Sequence, residues 1–137
     1  MTYLLDTDIL SNLLKRTPST LLIAKLASVP PDQQFTSSIT LGELHYGAHR
    51  IPERTSYLLQ RLAETLLPNL PVLPFDSAAA VRYGEVRAGL ERRGTPLGDA
   101  DLRIGAIALA RGLVMVTGNV RHFQRIPELS VENWLEP

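Results

Sequence analysis

No cysteine occurs in the sequence, which excludes disulfides and thiolate metal sites and fits a reducing compartment. Histidine is scarce, at three residues, so a zinc site built from the usual nitrogen and sulfur ligands has little to draw on. Charge of one sign is not in excess: Lys+Arg and Asp+Glu are both 14. No global field therefore draws the chain onto nucleic acid or a membrane surface, and any contact with a polyanion has to be local. Lysine is nearly absent, with Lys15 and Lys25 the only two; the remaining basic residues are arginines, suited to bidentate contacts with phosphate or carboxylate. No apolar run approaches the roughly 18 residues of a membrane span. The opening MTYLLDTDIL carries acids inside its apolar run and lacks a basic leader, so it does not read as a signal peptide. A soluble, cytoplasmic protein without membrane contact is expected.

At 137 residues the chain has the size of one ordinary domain, and no repeat, low-complexity tract or long linker divides it. Residues 3–5 read as a short buried strand running into Asp6, after which Ile9, Leu10, Leu13 and Leu14 recur at helical spacing. A second helix is predicted over 21–27, stopped by Pro30-Pro31, and a second strand over 34–36. Ser37 or Ser38 then opens a helix carrying Glu43 in or near its first turns. Further helices are predicted over 54–67, 77–93 and 101–111, with a strand over 70–75 between the first two. Gly112 is placed to cap the last helix. The unbroken apolar run 113–116 then has the character of a central parallel strand covered on both faces. Alternating strands and helices imply an α/β fold. In such sheets, sites form beyond the carboxyl ends of the strands, where Asp6 and the turn Thr117-Gly118-Asn119 both fall.

Asp6, Glu43, Asp99 and Asp101 each stand where a predicted strand ends or a helix begins. An oxygen-only set suits a hard divalent cation, Mg²⁺ or Mn²⁺, and the chemistry that follows is phosphodiester hydrolysis. Each acid also has a structural reading. Asp6 with Thr7 and Asp8 offers a helix cap, Glu43 lies at capping-box spacing from Thr40, and Asp99 and Asp101 favour a helix N-terminus through the macrodipole. Capping does not require all of them. Converging carboxylates without a cation would raise at least one pKa and destabilise the fold at neutral pH.

With these positions in place, the chain resembles a PIN-domain ribonuclease, specifically a VapC-type toxin of a toxin-antitoxin pair. The resemblance runs through YLLDTDILSNLLK, SSITLGELHYGA, PLGDADLRIGAIALARGL and VMVTGNVRHFQRIPELSVENW, in order and over nearly the whole chain. It implies a single PIN domain over 1–137, a three-layer α/β/α fold with a central parallel sheet of four to five strands. It also implies Asp6, Glu43 and Asp101 as catalytic, metal-binding acids for one or two Mg²⁺ or Mn²⁺ ions that activate a water. Asn119 stands where many relatives have a fourth acid; Asp99 and Thr117 are possible supporting groups. RNA would be positioned by Arg103, Arg121 and His122, which lie close in sequence to the acids. The resemblance further implies a homodimer, a cognate antitoxin and a larger toxin-antitoxin assembly. The helices from Leu21 to Arg61, with Leu58, Leu59 and Leu62, are the expected partner surface.

Two rival functions follow from the same residues. Asp6-Thr7-Asp8 after a strand is shared with aspartyl-phosphate phosphatases, but these need a later basic residue on the phosphoryl group, typically Lys, and no Lys follows Lys25. Asn119 in place of an acid gives the second rival, a non-catalytic PIN-type module that binds RNA or protein.

Overall fold

The computed structural model describes residues Met1–Pro137. Five short strands, β1 (Tyr3–Leu5), β2 (Gln34–Ser37), β3 (Val72–Leu73), β4 (Val114–Val116) and β5 (Val131–Glu132), form one sheet in the order β3-β2-β1-β4-β5. Every pairing is parallel, with Tyr3 opposite both Gln34 and Val114. Seven α-helices connect and cover the strands: α1 (Thr7–Leu13), α2 (Thr20–Ser28), α3 (Ser38–His49), α4 (Thr55–Arg61), α5 (Ser77–Arg92), α6 (Asp99–Arg111) and α7 (Val120–Phe123). None is long and apolar enough to cross a membrane.

The three layers follow from the two-residue period of the central strands. Successive side chains point to opposite faces, so Leu4 and Met115 join a core with Ala79, Leu90, Ile104, Ile107 and Phe123, whereas Leu5 and Val116 join one with Ile9, Leu22, Leu44, Leu62 and Trp134. Helices α5, α6 and α7 thus cover one face and α1, α2 and α4 the other. Local signals fix the helix starts. Ser19 accepts the N–H of Leu22 at 3.2 Å, Ser37 that of Thr40 at 3.0 Å and Asp76 that of Ala79 at 3.0 Å. Gly112, at φ 65°, ends α6 in the left-handed conformation and turns the chain directly into β4.

The structure differs from the sequence-based expectation in three places. The helix over 54–67 is a 3₁₀ turn at Pro52–Arg54, then α4, then a wide π turn over Leu62–Leu66 closed by the Leu67 N–H on the Leu62 carbonyl at 3.1 Å. That turn puts both Leu62 and Leu66 in the core, at 1% and 8% exposure. Leu62 is consequently a core residue rather than part of a partner surface. The strand expected over 70–75 is reduced to Val72–Leu73, because Pro71 and Pro74 have no N–H to give to a ladder. The third difference is α7 and β5, which no periodicity in the sequence announces.

Replacing Gly112 by Ala isolates the cost of its left-handed backbone, since no atom lies within 4 Å of the added Cβ. A loss of about 1 kcal/mol is expected in urea unfolding. An unchanged midpoint would mean the α6–β4 turn does not depend on glycine.

Candidate active site

Asp6 leaves the end of β1 with its N–H bonded to the Val116 carbonyl of β4 at 3.0 Å, so the two central strands hold it between them. It occupies the N-cap position of α1, yet its side chain caps nothing. Its Oδ2 instead accepts the Thr117 hydroxyl at 2.8 Å, and the residue is 4% exposed. Burial, above all, pushes its pKa up to about 7; the Thr117 hydrogen bond opposes this, and the charges of Asp8 and Asp101 add to it.

Asp8 lies in the first turn of α1, and its Oδ2 accepts the Gly118 N–H at 2.8 Å. A Cβ at position 118 would stand 2.6 Å from that oxygen, which is why the turn after β4 carries glycine there. Asn119 is exposed, and its N–H bonds the Thr117 hydroxyl at 3.0 Å. Its side chain sits at the N-cap of α7 without capping it.

Glu43 does not belong to a capping box. Ser37 occupies the true N-cap of α3, so Thr40 lies inside the helix and Glu43 in its second turn. The Glu43 Oε1 accepts the Thr7 hydroxyl at 2.5 Å, and that hydroxyl lies 3.1 Å from Thr40 Oγ1. Thr7, Thr40 and Glu43 thereby join the starts of α1 and α3. Asp101, in the first turn of α6, is half-buried, and its Oδ2 stands 3.6 Å from His122 Nδ1 on α7. Its pKa is raised, first by burial, with the charges of Glu43 and Asp8 acting in the same sense and His122 against them.

Asp6, Asp8, Glu43 and Asp101 therefore act on one another across the carboxyl edge of the sheet, although no three are drawn tightly enough together to form a finished ligand cage. Asp99 points elsewhere. Gly98, not Asp99, is the N-cap of α6. The Asp99 carboxylate accepts the Tyr83 hydroxyl and the Arg103 Nε, the latter at 2.7 Å, and the two bonds hold its pKa below the usual carboxylate range. Arg103 in turn lies over the rings of Phe75 and Tyr83, at 5.3 and 5.5 Å from their centroids. Arg121 is exposed on α7. Sequence reasoning treated Asp8 as a cap and His122 as an RNA contact. The ties to Gly118 and Asp101 depend on elements more than twenty residues apart or on the α6–α7 approach, which no local pattern reveals.

Comparison with known proteins gives the class of nuclease to which this parallel sheet belongs. The PIN domain family model matches residues 3–129. The tRNA(fMet)-specific endonuclease VapC of Salmonella typhimurium is 39% identical over 134 residues, 96% of this chain and 97% of the relative. Ribonuclease VapC2 of Haemophilus influenzae is 35% identical over 97% and 98% of the two chains. Among solved structures, VapBC2 from Rickettsia felis bound to a DNA fragment from its promoter superposes with a TM-score of 0.90, at 32% identity and 98% and 99% coverage. The chain belongs to the PIN-domain family, within its VapC ribonuclease branch.

Nucleases of this family use a divalent metal in general, and the residues present fit one. The donors are all oxygen, and the buried Asp6 has a neutral hydroxyl, not a cationic side chain, as its hydrogen-bonding partner.

The raised pKa has a consequence for the metal-free protein. An unfolded aspartate has released its proton above about 3.8, whereas folded Asp6 keeps it until about 7. The folded state binds more protons across that interval, so stability falls as pH rises through it and the penalty is complete above it. Asp6→Asn removes the penalty. In thermal melts with EDTA, the variant should gain on wild type at pH 8 and by much less at pH 5. A gap independent of pH would show that Asp6 ionises without cost.

Proposed function

We propose that this protein is the endoribonuclease toxin of a toxin-antitoxin pair, hydrolysing RNA phosphodiester bonds with Mg²⁺ or Mn²⁺ at the Asp6, Glu43 and Asp101 site. The observation that carries this reading is the buried Asp6 just after β1, which feels the charge of Asp101 on α6 as Asp101 feels that of Glu43 on α3, with no cationic side chain hydrogen-bonded to Asp6. Asp6 and Asp101 would hold the ion, with Glu43 beside it. When bound, the metal supplies water activation and neutralises charge on the scissile phosphate during in-line displacement.

The chain's own residues do the rest. Thr117 fixes one oxygen of Asp6 and so restricts rotation of the carboxylate. Glu43, exposed and steadied by the Thr7 hydroxyl, is the group that orients or deprotonates the attacking water. His122 holds Asp101 and, where protonated, lowers the local negative charge that an incoming RNA strand meets. Arg121, exposed on the same short helix, is free to contact phosphate. Arg103 is committed to Asp99 and serves first to fix the start of α6. Asp99, bonded to Tyr83 and Arg103, is left out of the metal set, and Asn119 offers a neutral amide oxygen at its edge.

The cognate antitoxin is assigned to a groove of about 520 Å³ between α1, α3 and α4. Leu14, Gly47 and Leu58 line it together with Lys15, Arg16 and Arg54, and Glu43 is among the lining residues. A segment with apolar and acidic side chains fits that lining and ends at the catalytic acids. The reading includes a homodimeric toxin acting in the cytoplasm. The Salmonella relative is named for tRNA(fMet), which makes initiator tRNA the first substrate to test.

Purified protein is expected to cut initiator tRNA or another RNA of a cellular pool with Mg²⁺ or Mn²⁺ and not with EDTA. Asp6→Asn and Asp101→Asn, prepared identically, should lose about 100-fold or more of that activity. Cleavage undiminished in both variants would contradict the assignment. RNA binding without cleavage would leave the non-catalytic module. Independently, Mn²⁺ at a hundredfold excess over its Kd should stabilise the fold by about 2.7 kcal/mol, an effect absent in Asp6→Asn. Equal stabilisation of both proteins would place the ion elsewhere.

A further inference from the structure

A second polar cleft, of about 420 Å³, lies between α5 and the turn that follows α7, lined by Arg82, Glu85, Gly89, Arg92, Arg93 and Glu128 among others. Its charges are unevenly spent. Arg82 takes both carboxylates, Glu85 at 3.5 Å and Glu128 at 3.1 Å, and Glu128 adopts φ 70°, the only positive value outside glycine. At the other end the arginines meet no carboxylate. Arg93 Nη2 donates to the carbonyl of Arg125 at 3.4 Å, and Arg125 Nη1 to that of Pro96 at 3.0 Å. Arg92 is exposed and enters no ion pair. The nearest acid in sequence, Glu91, is paired with Arg87 at 3.6 Å.

This unneutralised end is joined to the acidic site through both of its walls. The Arg125 N–H bonds the His122 carbonyl at 3.2 Å, one turn from the imidazole that faces Asp101. Pro96, held by Arg125, stands just before α6 and its first-turn Asp101. In a chain of zero net charge, three guanidiniums gathered without acids at the edge of a carboxylate site are an electrostatic asymmetry. With the exposed Arg121, this cluster supplies positive charge that opposes the repulsion between the acids and a polyanion. Resting on the nuclease reading, we propose that the end of this cleft formed by Arg92 and Arg93 is an RNA backbone site, holding phosphodiesters that flank the one presented to Asp6 and Asp101. Arg125 sets the position of Arg93 and couples the site to α7. The contacts are to phosphate, so the site adds affinity and register but does not read sequence.

The test is a salt titration of a fluorescently labelled 20-nucleotide single-stranded RNA against full-length Asp101→Asn protein, which keeps the strand intact. Adding Arg92→Gln and Arg93→Gln should weaken binding about tenfold at low salt and reduce the slope of log K against log salt by about 1.4, since each phosphate contact to a single strand contributes about 0.7. Arg92→Gln alone, which breaks no hydrogen bond, should reduce it by about 0.7, and keeps the test valid should the double variant unfold. Lys25→Gln with Arg50→Gln, exposed residues that line neither this cleft nor the groove assigned to the antitoxin, should leave the slope unchanged. An unchanged slope in both cleft variants, a fall confined to the Lys25/Arg50 control, or no RNA binding by the parent would each overturn the site. Wild-type cleavage decides the nuclease reading separately: cutting with an unaltered slope removes only this site, and an altered slope without cutting removes only the nuclease.

Discussion

A carboxylate at the end of the central strand of a parallel sheet cannot be hydrated freely, and in this protein the burial of Asp6 is the constraint around which the site is organised. Strands β1 and β4 pin its backbone, the Thr117 hydroxyl meets one oxygen, and no positive side chain is bonded to it. An isolated buried charge is costly, and the group responds by holding its proton up to about pH 7. Neighbouring acids aggravate the cost. Asp8 is tethered to Gly118, and Asp101 comes in at the start of α6, so the fold places negative charge where hydrogen bonding alone does not neutralise it. The metal-free arrangement loses stability as the pH rises through about 7, and a cation held beside Asp6 would offset that loss.

The same constraint explains how the remaining charge is distributed. With equal numbers of acids and bases, the protein has no long-range attraction for RNA and depends on where its arginines are free. Arg103 and Arg82 are held by carboxylates, whereas Arg92, Arg93, Arg121 and Arg125 are not paired with any. Arg92 and Arg93 close α5 ahead of Asp101, and Arg121 and Arg125 lie on and just after α7, the helix that carries His122. Function thus depends on short-range geometry, and contacts made through guanidinium and phosphate should be strongly sensitive to salt.

Much of this was legible in the sequence, for identifiable reasons. A strand that runs straight into an acid, as at Leu5-Asp6, and a four-residue apolar run closed by Thr-Gly, as at Val116-Thr117-Gly118, are local patterns, and they located the central strands and the edge of the site. Gly112 and Pro30-Pro31 marked boundaries because their backbone chemistry is distinctive. Signals that depend on tertiary partners were not legible. Glu43 had capping-box spacing from Thr40 only because Ser37, three residues earlier, was the true cap. Asp99 looked equivalent to Asp101 until Tyr83 and Arg103 claimed it. Strand β5 is two residues long and is defined by its ladder to Met115 and Val116, so no periodicity could reveal it. The π turn at 62–66 is defined by the Leu67 N–H on the Leu62 carbonyl; since Leu62 and Leu66 share a face in an α-helix as well, the apolar pattern represents it as an ordinary helix.

Proton release on metal binding tests the central claim most directly, because it reads the buried carboxylate itself. Isothermal titration of the wild-type protein with Mn²⁺ at pH 6, repeated in buffers of different ionisation enthalpy, should show most of one proton leaving per ion bound, and almost none at pH 8.5, with Asp6→Asn releasing none at either pH. Metal binding without proton release at pH 6, or release undiminished in Asp6→Asn, would contradict the account.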